Sequence, residues 1–399
     1  MEQSLWQKIQ RLKWKDLYHI ILFLLALPVS FVFRRSHKNL WLICDTEKEA
    51  RDNGYWLFRY IMKRHPEQEA VYAIDKHSPD YRRVKKLGRV IQYGSFTHWV
   101  YYLAAEKNIS SQKSGKPNAA VCYLLEVYGL YKNTRIFLQH GITKDDMEFL
   151  YYKHTKMRLF VCAVDAEYQY VEQRFGYPKG WVEKLGFCRF DNLFDTSEGK
   201  RQILVMPTWR NWIGTPTSKS YQYENVDDFA STEYYKNWNG FLKSRRLHEL
   251  LKKYNVELVF YPHRDMQKYA EYFSLEHSDI KVAKWPEYDV QKLLKSSNFL
   301  ITDYSSIAMD FAYMKKPLLY FQFDYEMYRK GHYPEGYFQY ERDGFGRVCR
   351  NLDALLLEME HVLEQNFEME ELYRERVLQF YDYFDRKNCK RNYEAIKKI

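Results

Sequence analysis

From residue 40 onward, short apolar runs alternate with longer helical stretches, and this rhythm limits the possible folds more than any single motif does. Runs at 40–44, 70–74, 89–93, 135–138, 159–164 and 181–185 read as strands, with helix-like segments such as 54–63 and 97–105 between them. Strand–helix alternation of this kind predicts parallel sheets covered on both faces. A polar, turn-rich stretch at 191–200 (DNLFDTSEGK) interrupts the pattern, which restarts with runs at 202–206, 256–261, 280–283, 299–302 and 318–321. The polar, aromatic segment 221–239 reads as a surface loop, and the tail from residue 352 as mostly helical, with a core-facing stripe at Leu355, Leu356, Met359, Val362 and Leu363. At ~100–200 residues per domain, 399 residues fit two such domains. The expectation is an α/β chain with Rossmann-like domains at 39–192 and 193–370 and C-terminal helices at 371–399. A cleft between the domains is expected, with ligands at the carboxyl ends of strands.

The segment 1–38 has a different character. Residues 20–33 (IILFLLALPVSFVF) are apolar but hold Pro28 and Ser30, and the run falls short of the ~20 residues a spanning helix needs. Lys8, Arg11, Lys13 and Lys15 precede it, Arg34, Arg35 and Lys38 follow, and Trp6, Trp14, Tyr18 and Trp41 stand at its edges. Basic flanks and interfacial aromatics suit a monotopic anchor on the anionic cytoplasmic leaflet. The competing reading is a helix buried on the soluble body. A net charge of +10 favours acidic partners: phosphorylated substrates, anionic lipid or nucleic acid.

Chemistry is expected where strands end. FLQHGIT (137–143) places His140 before a glycine, as a base for a hydroxyl or as a structural loop histidine. VMPTWRNW (205–212) offers the Thr208 hydroxyl and the Arg210 fork, suited to phosphate. FYPHRD (260–265) brings His263 and Arg264 out of an apolar strand, a pair suited to a diphosphate. FLITDYSSIAMD (299–310) runs from a strand through Asp303, Ser305 and Ser306 into a helix, where a serine could cap the helix or face a phosphate. YFQYERDGFGR (337–347) reads as a loop able to close over a ligand. No phosphate-binding P-loop, dinucleotide fingerprint or hydrolase elbow occurs. The six cysteines show no metal-ligand spacing and read as buried, reduced thiols of a cytosolic environment.

Together QHG (139–141), PTWR (207–210), YPHR (261–264) and TDYSSIAMDFAYMKKP (302–317) resemble the CDP-glycerol glycerophosphotransferases of teichoic acid synthesis; RDNGYWLFRYI (51–61) and DRKNCKRNYEAI (385–396) fit the same pattern. The resemblance runs from about residue 40 to the end. It implies a GT-B-like architecture, an N-terminal acceptor domain, a C-terminal CDP-donor domain and peripheral attachment to the inner membrane face. Carried over, His140 would deprotonate the acceptor hydroxyl and His263 would assist departure of CMP. Ser305 and Ser306 would hold donor phosphate, supported by Thr208, Arg210, Arg264 and Asp303. The implied partners are CDP-glycerol or CDP-ribitol and a lipid-linked saccharide or polymer acceptor, with no nucleic acid, cofactor or metal. The sequence departs from the family where Lys144, Asp145 and Asp146 follow the QHG segment. Two other readings stand beside this one: a GT-B glycosyltransferase using a nucleotide sugar, and a non-catalytic protein binding membrane or nucleic acid by charge.

Overall fold

The computed structural model describes residues 13–131, 133–213, 229–273 and 279–399. Two parallel sheets organise it. The first holds β1 (Trp41–Ile43), β2 (Ala70–Ile74), β3 (Val90–Gln92), β4 (Lys107–Ser110), β5 (Arg135–Phe137), β6 (Leu159–Cys162) and β7 (Val182–Lys184), in the order β3-β2-β1-β4-β5-β6-β7. The second holds β8 (Gln202–Met206), β9 (Glu257–Phe260), β10 (Ile280–Val282), β11 (Phe299–Thr302), β12 (Leu318–Phe321) and β13 (Gly346–Cys349), in the order β10-β9-β8-β11-β12-β13. Every adjacent pair in both sheets is parallel. Strands covered on both faces must be apolar along their whole length, and VYAI and LLYF are buried at each position.

The chain divides into two compact units. One comprises the described residues up to Ile142, Glu148–Asn192 and Tyr383–Ile399; the other comprises Thr143–Met147 and Leu193–Asp382. The C-terminal helices are therefore shared. The helix Glu371–Phe380 belongs to the second unit and Asn388–Lys397 to the first. In the first unit, Asn388 and Cys389 donate their backbone N–H groups to Asp191, and Asn392 reaches the Gly186 carbonyl.

Four segments differ from the sequence expectation. β4 reads KNIS and gives no apolar signal, yet it is a central, fully buried strand. Most of its polar groups find partners: Lys107 pairs with Glu106, and the Asn108 amide nitrogen donates to the Tyr102 carbonyl and to Asn133, while Asn108 Oδ1 has no partner among the described residues. The expected loop at 337–347 instead contains a helical turn, Tyr340–Asp343, and runs into β13, where Gly346 lies so close to the Leu318 carbonyl that a Cβ would stand 1.8 Å from it. Of the expected loop 221–239, residues 221–228 lie outside the described residues, while Glu233–Leu242 is a helix capped by Thr232 and anchored by Trp238 in the core.

The fourth is the N-terminal segment, where the helix α1 (Trp14–Ser36) extends 23 residues, well beyond the apolar run. At 1.5 Å per residue that is about 34 Å, long enough to cross a bilayer. One stripe, His19, Leu22, Ala26 and Ser30, is buried, at helical spacing. It packs on α2 (Phe96–Ala104), where the Trp99 indole donates to His19 Nδ1. The opposite face leaves Leu17, Ile21, Leu24, Leu25, Phe31 and Val32 exposed. Trp6, Lys8 and Arg11 lie outside the described residues.

Candidate active-site residues

In the first unit His140 follows β5 at its carboxyl end, as expected of a ligand-facing position. Asn53, wholly buried, fixes the backbone before it: its amide donates to the Leu138 and Gln139 carbonyls (3.2 and 2.7 Å) and its Oδ1 accepts from the Arg189 N–H (2.9 Å). Gln139 itself takes a left-handed φ of 59°, uncommon for a residue with a side chain. Its side-chain amide donates to the Val161 carbonyl and to Glu167, both buried. The His140 ring is exposed on one side and crowded on the other. That crowding first, and the Arg189 guanidinium second, lower its pKa, against a hydrogen bond to the Ser111 backbone. Because the ring remains partly in water the desolvation is partial, and its consequence is the direction: His140 is neutral at pH 7.

Asn53 stands at the start of the helix Asn53–Arg64. Asp45, just past β1, clamps this start by accepting from the N–H groups of Gly54 (2.9 Å), Tyr55 (3.1 Å) and Asp52 (3.3 Å), the Tyr72 hydroxyl (2.8 Å) and the Ser111 hydroxyl. Burial, then the neighbouring Asp52 charge, push the Asp45 carboxyl up to about 7 despite these donors. Asp45 does not stand out in the sequence, being a short polar residue in a turn, and Asn53 lies in the RDNGYWLFRYI segment with no role of its own read from it. Only the fold connects them to the turn that carries His140.

In the second unit, β9, β8 and β11 are neighbours, so the motifs that follow them meet at one edge of the sheet although they are far apart in the chain. Thr208, His263 and the pair Ser305–Ser306 come from these three strand ends. The Thr208 N–H donates to Asp303 (2.8 Å), and its buried hydroxyl has no partner among the described residues. His263 is half-buried, its ring parallel to Trp209 at 6.2 Å between centroids and its Nδ1 3.6 Å from Asp265. Arg264 is exposed and lies over Trp285. Both serines are half-buried; Ser305 Oγ accepts from the Ile307 N–H, while the Ser306 side chain makes no capping bond.

Arg210 and Asp303 are placed differently from the expectation of phosphate contact. Arg210 is wholly buried, donating to Asp324 through Nε (2.7 Å) and Nη2 (3.1 Å), to the Thr208 carbonyl through Nη1 (2.7 Å), and pairing with Asp303 (2.9 Å). Two carboxylates attract a guanidinium more strongly than an exposed phosphate competing with water, so the fork faces inward. The pair ties the PTWR turn to the TDYSS turn. Lys316 of the same long motif is structural as well, donating to three carbonyls and to Asp195.

His332 carries no signal in the sequence. It is buried beside Trp209, accepts from the Asn211 N–H through Nδ1 (3.2 Å), and is held neutral by burial and by the charges of Arg210, Lys144 and His263. Lys144 and Asp145, the departures noted after QHG, form a buried pair, and Asp145 also accepts from Arg329 (2.7 Å). Among the described residues, no three His, Cys, Asp or Glu side chains group as metal ligands.

Comparison with known proteins gives the family and the fold. Over 385 residues the chain is 35% identical to the minor teichoic acid biosynthesis protein GgaB of Bacillus subtilis, covering 94% of this chain and 42% of GgaB. It is 29% identical over 190 residues to a teichoic acid poly(glycerol phosphate) polymerase of Bacillus spizizenii, covering 47% of this chain and 41% of that protein. The chain spans less than half the length of these curated relatives. The wall teichoic acid polymerase TagF has the same fold at a TM-score of 0.63 and 16% identity, with both chains covered in full. UDP-GlcNAc 2-epimerase from Neisseria meningitidis aligns over 90% of this chain and all of its own, at 0.52 and 11%. The two Rossmann-like units are thus of the GT-B-like class. Residues 26–398 match the model of one family, and the chain belongs to it: the CDP-glycerol:poly(glycerophosphate) glycerophosphotransferases.

Proposed function

We propose that the chain transfers a polyol phosphate, with glycerol phosphate foremost, from a CDP-polyol to a hydroxyl of a membrane lipid-linked acceptor, releasing CMP. The observation that carries this reading is His140: a neutral, partly exposed imidazole at a strand's carboxyl end, in a chain of this family. The acceptor oxygen attacks the phosphorus bearing the polyol and forms the new P–O bond. The bond from that phosphorus to the oxygen of CMP breaks, and the acceptor's proton passes to His140. His263 assists the departing CMP, and Ser305, Ser306, Thr208 and Arg264 hold donor phosphate by hydrogen bonds and charge. Arg210 and Asp303 act one step removed, by holding the two turns in place. Purified protein given CDP-glycerol, CDP-ribitol or UDP-glucose with membrane-extracted acceptor should release CMP from a CDP-polyol alone. UDP release would instead make it a glycosyltransferase.

Attachment belongs to the same reading. The exposed apolar face of α1, with Arg34 and Arg35 at its end, supports monotopic association with the cytoplasmic leaflet. A helix that buries one stripe on its own unit is suited to lie in the interface rather than stand across the bilayer.

A further inference from the structure

The amino-terminal ends of β5, β6 and β7, at the opposite edge of the first sheet from His140, carry a second group of chemistry-bearing residues that the proposed reaction does not use. Parallel register sets three of them side by side: the Arg158 N–H donates to the Arg135 carbonyl (2.8 Å) and the Phe160 N–H to the Trp181 carbonyl (2.7 Å). They line a hollow of about 680 Å³ together with Tyr131, Tyr152 and Lys156. Arg158 lies over the Trp181 ring at 4.8 Å and Lys156 over Tyr152 at 4.6 Å. Neither cation meets a carboxylate among the described residues, and Arg158 Nη1 and Arg135 Nε lack acceptors there. The hollow's one acid, Glu126, is already neutralised by Lys116 (2.9 Å) and Arg135 (3.3 Å). What remains is an excess of positive charge between flat aromatic faces, which suits a phosphate joined to a polyol or sugar.

The position of the hollow says where such a phosphate would come from. The helix α3 (Ala119–Val127) begins beside the start of α1, where Asn118 donates to Asp16 (2.9 Å). It ends at the hollow, and Tyr131 there packs against the same apolar cluster as Phe33 in the last turn of α1. The hollow therefore lies beside the basic end of the helix whose outer face is apolar. We propose that it is a headgroup site, which binds the phosphate of a phosphoglycerol-type membrane lipid and orients the unit on the bilayer. It rests on the attachment proposed above only for the source of its ligand.

The full-length protein is titrated with phosphatidylcholine vesicles, with and without phosphatidylglycerol. At the membrane surface each basic residue contributes about fivefold in affinity, so Lys156→Gln/Arg158→Gln should lose about tenfold or more for phosphatidylglycerol vesicles. Binding to phosphatidylcholine through α1 should be unchanged. Lys156→Gln alone, at a half-exposed position, should show a smaller loss with the parent's Tm, and it decides the matter if the double variant is unstable. Unchanged affinity in a stable variant overturns the site. Soluble glycerol phosphate that displaces the parent from vesicles would show that the phosphate is recognised free of the membrane; no displacement, with loss in the variants, ties recognition to the lipid. Leu24→Glu, which disrupts only the apolar face, should weaken binding to both vesicles, so failure of the anchor and failure of the hollow give different patterns.

Discussion

His140 shows how one residue's role is decided by its neighbours. A lowered pKa means that the native state binds the proton less well than the unfolded chain, whose histidine titrates at ~6.5. The imidazole is therefore unprotonated at pH 7, and with His140 as the proposed base the acid limb of kcat/KM should lie below ~6.5. Arg189→Gln removes a nearby positive charge and should move that limb upward, read from a pH profile of CMP release. His140→Ala should lower turnover by about 10²-fold or more, the usual size of a general-base contribution; a loss under about tenfold would remove His140 from that role. In the second unit Arg210→Met leaves Asp303 and Asp324 facing each other without a cation. Breaking a buried pair from one side costs about 3–5 kcal/mol, so this variant should show a large fall in Tm and not merely a rise in the KM for donor.

At the scale of elements, the junction of β1 with the helix Asn53–Arg64 depends on a carboxylate rather than on apolar packing. A Cβ on Gly54 would stand 2.4 Å from Asp45 Oδ1, so Gly54→Ala should displace the helix start and destabilise by about 1–3 kcal/mol. Because Asp45 holds the helix start from which Asn53 reaches the backbone before His140, the same variant should lose activity beyond its loss of stability. The helix Phe96–Ala104 holds a different constraint in His98, which is wholly buried, accepts from the Gly94 N–H, and has a pKa pushed down to about 3 by burial and then by His19. Its contribution to stability is present above ~6.5 and is lost as pH falls from there toward 3. His98→Gln should flatten the acid side of a Tm-against-pH curve, and an unchanged slope would assign the acid sensitivity elsewhere.

For the whole molecule, the proposed membrane attachment rests on the apolar N-terminal helix. Its two faces predict opposite phenotypes. Leu24→Glu and Phe31→Glu, on the exposed face, should release the protein from vesicles at unchanged Tm. Leu22→Ala, on the buried face, should cost about 2–3 kcal/mol while leaving attachment intact. Vesicle sedimentation and thermal melts separate the two. If the exposed-face variants still sediment with vesicles, basic surfaces elsewhere hold the protein to the membrane.

The class of fold and the positions of most strands along the chain were legible in the sequence because a strand buried on both faces must be a continuous apolar run, and ten or more such runs alternate with helices. The strand-end motifs were legible for a related reason: residues such as His140, His263 and Ser305 interrupt apolar runs where turn chemistry alone does not ask for them. β4 escaped because its burial is of polar groups, most of them partnered, which carry no periodic signal. The inward turn of Arg210 escaped because Asp324 lies 114 positions away and meets it only through the adjacency of strands. Asn53, Asp45 and His332 belong to the same case. Hydropathy and turn preference act over a few residues and are written in the sequence directly. Partnerships among polar groups depend on which strand ends become neighbours, and only the tertiary structure decides that.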